Sequence, residues 1–398
     1  MGEGGITMKI MFSAGEASGD LHGAALAQAL QELAPGIELI GFGGPRMAAA
    51  GVRLAADMRE YSVMGFWEVL VSLRRMFRLR NRLAAFMQAE KPDLLVLIDY
   101  PDFNWRLAVK AKAQGIPVFS YIPPSAWAWR KGRARKCAAL ADELAAIFPF
   151  ELPVYQAAGA KITFQGNPLV DTVRSAMEPA AAKEYFGLQP GERAMLLLPG
   201  SRHQEIQLLL PAMLAAAKLI AADEPSMRFY LPVASGLDQA ELEGMAAAAG
   251  VSVRFTQEHT YELMSIAELA LATSGTVVLE AALLGLPCVV LYRMSPVSYL
   301  IGRLLVHVEH FSLPNILAGR RVQPELLQAQ VNPQRICQEA RAFYRDEAYT
   351  AQVKAGLAEA VSHLGKPGAA GRVAQRILAA AGGRQNSGKY RGISNEEL

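Results

Sequence analysis

The chain has 398 residues, of which 52% are hydrophobic and 19% charged, with a formal net charge of +3. That length and apolar content suit two or three domains with large cores and exclude both a disordered chain and a small stapled fold. The charge is too low to imply a nucleic-acid partner, and the three cysteines, Cys137, Cys288 and Cys337, are too scattered for a disulfide framework or a zinc cluster, which points to a reducing, cytoplasmic setting.

In chain order, residues 1–7 lack the basic start and apolar core of a signal peptide, and no uninterrupted apolar run approaches the ~18 residues of a spanning helix. Short apolar runs then alternate with helical stretches, the pattern of parallel sheets with crossover helices. Strands are expected over 6–12, 37–42, 93–98, 117–121 and 144–148, with helices over 19–34, 66–90 and 103–114. The pattern restarts near Ala194, with strands over 194–198, 228–233, 252–255, 269–272 and 288–292 and helices over 204–222 and 277–284. The stretch 178–193, with two prolines and two glycines, reads as the interdomain connection. Beyond Pro333 the chain reads as helical over 335–345, 349–363 and 371–381, segments expected to lean back on the first domain. The expected organisation is therefore 1–178 and 179–365 as two doubly wound, Rossmann-like units facing across a cleft, 366–381 as a helix returning to the first, and 382–398 as a disordered tail.

Each half carries an apolar strand running into a glycine turn that opens a helix: Gly15–Asp20 after the first strand, Leu198–Arg202 and Thr273–Thr276 in the second half. Such turns gather backbone N–H groups and the positive helix end at the carboxyl edge of a parallel sheet, where anions bind. Glu16, Ser18 and Asp20 stand beside the first turn, although Ser18 also suits a plain helix cap. The spacing is not that of a dinucleotide fingerprint. Gly200, Ser201 and Arg202 offer backbone donors, a hydroxyl and a guanidinium to a diphosphate; Ser274, Gly275 and Thr276 open a second helix whose Glu280, one turn in, suits a ribose diol. Asp99 ends the buried strand of 93–98 and is the candidate general base; Asp102 suits a helix cap. His307 and His310 lack a further ligand set, so no metal is expected. The 63–87 stretch interleaves Phe66, Trp67, Val69, Leu70, Leu73, Met76 and Phe77 with Arg74, Arg75, Arg78, Arg80 and Arg82. It reads either as a core helix with a solvated basic face or as a helix lying on an anionic bilayer. Trp127 and Trp129, beside Arg130, suit a sugar or lipid phosphate or simple loop packing.

Taken together, GEASGD (15–20), GGPRM (43–47), VMG (63–65), DYPDFN (99–104), PSAWAWR (124–130), FPFE (148–151), LPGSR (198–202), SGTVVLE (274–280) and SLPNILAG (312–319) resemble the lipid-A-disaccharide synthase family, from about residue 8 to about 380. The resemblance implies a GT-B glycosyltransferase that transfers 2,3-diacylglucosamine, with inversion, from UDP to 2,3-diacylglucosamine 1-phosphate (lipid X), giving the β-1,6-linked disaccharide 1-phosphate and UDP. It implies Asp99 as base, Glu16, Ser18, Gly19, Met64, Arg130 and Asn315 on the substrates, and Gly200, Ser201, Arg202, Ser274, Gly275, Thr276 and Glu280 on UDP. No cofactor, metal or nucleic acid is implied. A peripheral position on the cytoplasmic face of the inner membrane is implied, and the helical C-terminus is a candidate homodimer contact. Tyr100, where the family commonly has a small residue, His203 and the tail are departures. A UDP-sugar epimerase and a non-catalytic two-lobed binding protein are the rival classes, separable by supplying donor with and without acceptor.

Overall fold

The computed structural model describes residues 8–61, 69–126, 131–295, 299 and 308–382, with backbone alone at 69–73 and 131. Met64, Trp127, Trp129, Arg130 and the tail beyond Gly382 therefore lie outside the described residues. The chain divides into two compact units, Met1–Pro168 with Lys366–Leu398, and Leu169–Gly365.

The first unit holds a parallel sheet of β1 (Lys9–Ala14), β2 (Glu38–Gly43), β3 (Arg53–Asp57), β4 (Leu94–Ile98), β5 (Val118–Tyr121), β6 (Glu143–Ala146) and β7 (Ile162–Phe164). Their order is β3-β2-β1-β4-β5-β6-β7. The period-2 geometry of a strand sends alternate side chains of the buried β4 run to opposite faces. Leu95 and Leu97 join one core beneath α3 (Val69–Glu90), α4 (Pro101–Ala113), α5 (Lys131–Leu140) and α6 (Leu152–Ala157). Leu94, Val96 and Ile98 join the other, beneath α1 (Ala17–Leu33) and α2 (Pro45–Ala49).

Short helices α7 (Leu169–Thr172) and α8 (Pro179–Tyr185) open the second unit. Its parallel sheet comprises β8 (Arg193–Leu198), β9 (Met227–Pro232), β10 (Val253–Thr256), β11 (Leu269–Thr273), β12 (Cys288–Tyr292) and β13 (Glu325–Leu327), in the order β10-β9-β8-β11-β12-β13. Around it lie α9 (His203–Asp223), α10 (Gln239–Ala249), α11 (Thr260–Ile266), α12 (Thr276–Leu283), α13 (Leu313–Ala318), α14 (Pro333–Arg345) and α15 (Glu347–Ser362). The last helix, α16 (Ala369–Gly382), belongs to the first unit, where Val373, Ala374 and Ile377 join the core of Ile10, Phe12, Leu26 and Leu30.

Three expectations are corrected. The proposed connection 178–193 is folded: Ala182 of α8 is fully buried in the second unit's core. Residues 169–178, expected in the first domain, sit with the second unit; the buried Glu262 carboxylate of α11 accepts the Ala176 N–H at 2.9 Å and fixes them there. Of the C-terminal helices read as leaning back on the first domain, α14 and α15 instead pack in the second, within the expected 179–365 bounds, with Ile336, Ala340, Phe343, Val353 and Leu357 in its core. Helix α9 is long and apolar enough to cross a membrane by length and composition, yet Ile206, Leu209, Leu210, Met213 and Ile220 are buried in the second unit's core.

Candidate active site

In each sheet the chain winds one way from the first strand and the other way from the fourth, so the two neighbouring strand ends frame a crevice at the carboxyl edge. In the first unit these strands are β1 and β4, aligned Ala14 to Ile98. The Gly15–Asp20 turn and the Asp99–Asn104 turn therefore emerge side by side.

Asp99 and Tyr100 both occupy the left-handed region, at φ 47° and 51°. Such a conformation costs a non-glycine residue on the order of 1–3 kcal/mol and persists only where the surroundings enforce it. They do so here. The Asp99 N–H donates to Tyr121 O at 3.2 Å. Asn104, one turn into α4 and 1% exposed, donates from Nδ2 to Asp99 O at 2.6 Å and Ser13 O at 3.2 Å, while its Oδ1 accepts the Ser13 hydroxyl at 2.6 Å. One buried amide thus ties both strand ends together. Tyr100 lies flat against the first turn: a Cβ on Gly15 would fall 2.2 Å from its ring, so only glycine fits. Its hydroxyl reaches Met76 Sδ of α3 at 3.7 Å. The Asp99 side chain is half-buried, and desolvation pushes its carboxyl above the ordinary range, with the Tyr100 N–H acting in the opposite direction.

The other expected first-unit residues divide. Glu16 and Ser18 are exposed at the turn. Glu16, not Ser18, precedes the first residue of α1 as its N-cap. Gly19 is buried, and a Cβ there would approach Ala14 Cβ at 3.2 Å, so it serves close helix-to-sheet packing. Asp20 is 2% exposed and accepts the N–H groups of Gly44, Arg46 and Met47 at 2.8 to 3.0 Å, fastening the GGPRM segment. Asp102 is in the first turn of α4 and Tyr100, not Asp102, is the N-cap.

In the second unit, β8 and β11 are neighbours aligned Leu198 to Ala272, which brings the Gly200–Arg202 and Ser274–Thr276 turns to one edge. Arg202 is exposed and precedes α9 as its N-cap. The Glu205 carboxylate folds back onto the turn: Oε2 accepts the N–H groups of Ser201 and Arg202 at 3.0 and 3.3 Å, and Oε1 meets Arg202 Nη1 at 2.9 Å. Gly275 and Thr276, both exposed, open α12. Glu280 is half-buried and burial raises its carboxyl pKa; burial, and after it the Glu280 charge, raises that of Tyr261, a neighbour that sequence reading did not propose.

Two expected residues are spent on the fold. The Ser274 hydroxyl donates to Phe311 O at 2.9 Å and so anchors the segment before SLPN. Asn315, expected on substrate, is 0% exposed. Its Oδ1 accepts the Val322 and Gln323 N–H groups at 2.9 and 3.1 Å and its Nδ2 donates to Gln323 O at 3.0 Å, bonds that lie inside the unit. Sequence reading passed over Asn104 and Glu205. Glu205 carried a signal, an acidic residue three positions after a turn residue at a helix start.

Two parallel-sheet α/β units, each with a glycine turn opening a helix at its switch point, define the architecture shared by nucleotide-sugar glycosyltransferases and epimerases. Solved structures with this fold include the S. aureus MnaA–UDP co-structure, at TM-score 0.66 and 15% identity over 94% of this chain and 96% of that one. The calicheamicin glycosyltransferase CalG4 aligns at TM-score 0.58 and 15% identity over 95% and 99%. The Neisseria meningitidis UDP-GlcNAc 2-epimerase bound to UDP-GlcNAc aligns at TM-score 0.62 and 14% identity over 94% and 99%.

Sequence similarity is far closer to a single family. The lipid-A-disaccharide synthetase family model matches residues 10–376. Lipid-A-disaccharide synthases of Geobacter sulfurreducens and Syntrophus aciditrophicus are 43% and 44% identical over 370 residues, 93% of this chain and 96% and 97% of theirs. The chain belongs to the lipid-A-disaccharide synthase family.

Proposed function

We propose that the chain joins two acylated glucosamines, taking 2,3-diacylglucosamine from its UDP conjugate and placing it on 2,3-diacylglucosamine 1-phosphate. Membership of the synthase family makes it a glycosyltransferase. The observation that carries the mechanism is Asp99, a half-buried carboxylate held at the β1/β4 switch point by an enforced backbone. Its raised pKa suits a base that must take a proton from a sugar hydroxyl. The acceptor oxygen attacks the anomeric carbon from the face opposite UDP, its proton passes to Asp99, and the bond from the anomeric carbon to the diphosphate oxygen breaks with inversion. Glu16 and Ser18, exposed beside the same turn, are the residues for acceptor polar groups.

The donor is assigned to the second unit. Ser201, Arg202, Gly275 and Thr276 supply N–H groups and a guanidinium to the diphosphate, Gly200 allows the turn, and Glu280 takes the ribose. Fixed donors of this kind stabilise charge as it develops on the departing UDP. Because the acceptor and donor both carry acyl chains, the enzyme works at a bilayer. Along α3 the exposed Arg74, Arg75, Arg78 and Phe77 form the face we assign to an anionic inner-membrane surface. The epimerase alternative rests on fold likeness alone, at 14 to 16% identity.

Asp99→Asn tests the assignment. The expected result is a loss of transfer by about 10²–10⁴-fold with UDP affinity unchanged, because a general base contributes that much to the chemical step. Wild-type turnover at saturating substrates would remove Asp99 from the mechanism.

A further inference from the structure

The donors assigned to the diphosphate already hold an anion that belongs to the protein. Glu205 Oε2 accepts Ser201 N–H at 3.0 Å and Arg202 N–H at 3.3 Å, while Oε1 engages the Arg202 guanidinium at 2.9 Å. Gly200, at φ +121°, makes room for it: a Cβ at that position would lie 2.2 Å from Glu205 Oε2. A carboxylate and a phosphate seek the same features, namely paired N–H groups, a guanidinium and a positive helix start. Two anions cannot share these donors, since both geometry and mutual repulsion forbid it.

We infer that Glu205 is a resident competitor for the diphosphate site: it occupies the β8–α9 turn when UDP is absent, must swing aside for the nucleotide to bind, and returns as UDP leaves. The inference rests on the donor assignment made above. The side chains allow the exchange, with Glu205 29% and Arg202 80% solvent-exposed. The carboxylate need only rotate about its own side-chain bonds, while the helix start remains in place. The cost falls on apparent affinity, because a turn that is open one-tenth of the time weakens binding about tenfold. The gain falls on product release, since Arg202 and the turn N–H groups pass directly from one anion to another and are never left unpaired.

The test compares UDP and uridine binding by calorimetry to wild type, Glu205→Gln, Glu205→Asp and Arg202→Ala, with stopped-flow measurement of UDP dissociation. Gln retains an acceptor for the turn without the charge; Asp retains the charge but is one methylene too short to reach. Glu205→Gln is expected to bind UDP about tenfold more tightly and to release it more slowly, with Glu205→Asp intermediate. Uridine has no phosphate, so its affinity should be unchanged, which also reports that each variant is folded. UDP affinity unchanged or weakened in both Glu205 variants, with Arg202→Ala still weakening UDP selectively, would overturn the competitor role alone. If Arg202→Ala leaves UDP affinity untouched, the donor assignment itself fails.

Discussion

At the residue scale, the proposed base, Asp99, is set by its supports as much as by its own carboxylate. Asn104 is almost fully enclosed and bonds to Ser13 and to the Asp99 carbonyl. Asn104→Ala is expected to cost about 2–3 kcal/mol in stability, because it strands buried polar groups. It should also lower kcat while leaving UDP affinity unchanged, a split that simple destabilisation would not produce. Glu151 of the FPFE motif, 3% exposed, carries a pKa pushed up to about 7 by burial. A carboxyl whose folded pKa is raised penalises folding once it ionises, so the penalty grows as pH rises from about 4.5 to about 7 and is relieved as pH falls. The upper bound is on the order of 3 kcal/mol. Urea denaturation between pH 4.5 and 8 should therefore show wild type losing stability relative to Glu151→Gln as pH rises. Asp99 was legible in the sequence because a strand's end dictates where its next residue stands. The burial of Asn315 was not legible because a motif gives a residue's position and not the direction of its amide, which points inward to Val322 and Gln323.

At the element scale, long buried strands and helices could be placed from periodicity, whereas of the four sheet edges only β10 was, over 252–255. Strands β3, β7 and β13 were missed; all three are sheet edges, and β7 and β13 have three residues each. An edge strand buries little on its outer side, so its apolar signal is weak. Helix α3 shows the core face of its first reading, and its exposed arginines leave the second as a proposal. Leu79, Leu83 and Met87 are buried at 0 to 1% exposure, whereas Arg74, Arg75, Arg78 and Arg82 are exposed. Phe77 is 42% exposed and lies under the guanidinium groups of Arg80 and Arg106. Leu83→Ala should destabilise the protein by about 2–5 kcal/mol. Charge reversal of Arg74, Arg75 and Arg78 should leave the melting temperature unchanged and weaken co-sedimentation with anionic vesicles by about 1 kcal/mol per residue at low salt. Unchanged sedimentation of the triple variant would remove α3 as the proposed membrane-facing helix.

At the scale of the whole molecule, the second unit is an insertion in the first. The chain leaves the first unit after Pro168 and re-enters at Lys366, and the two crossings adjoin, since a Cβ at Gly166 would lie 3.4 Å from the Lys366 carbonyl oxygen. Helix α16 is fastened there by Arg372, which donates to Gln165 O at 2.9 Å, and by Arg376, which donates to the buried Glu143 carboxylate at 2.7 Å. A protein in which Pro168 is joined to Lys366 through a short glycine linker should fold and melt cooperatively by circular dichroism. One that stops at Gly365 should not, because the core of Ile10, Phe12 and Leu30 loses its cover. Sequence periodicity showed that the C-terminal segments were helical, and packing shows that α14 and α15 stay in the second unit while α16 returns to the first.

The insertion reverses the order in which the lobes can be completed on the ribosome. Leu169–Gly365 is continuous and can close as soon as it emerges, whereas the earlier-made lobe waits for α16. At ordinary synthesis rates the roughly 200 intervening residues take about 10–40 s. During that interval the apolar face destined for α16 is open to water and to chaperones, and a prematurely ended chain would never cover it. The lobe that carries Asp99, the proposed base, is thus completed only after the other lobe has been made.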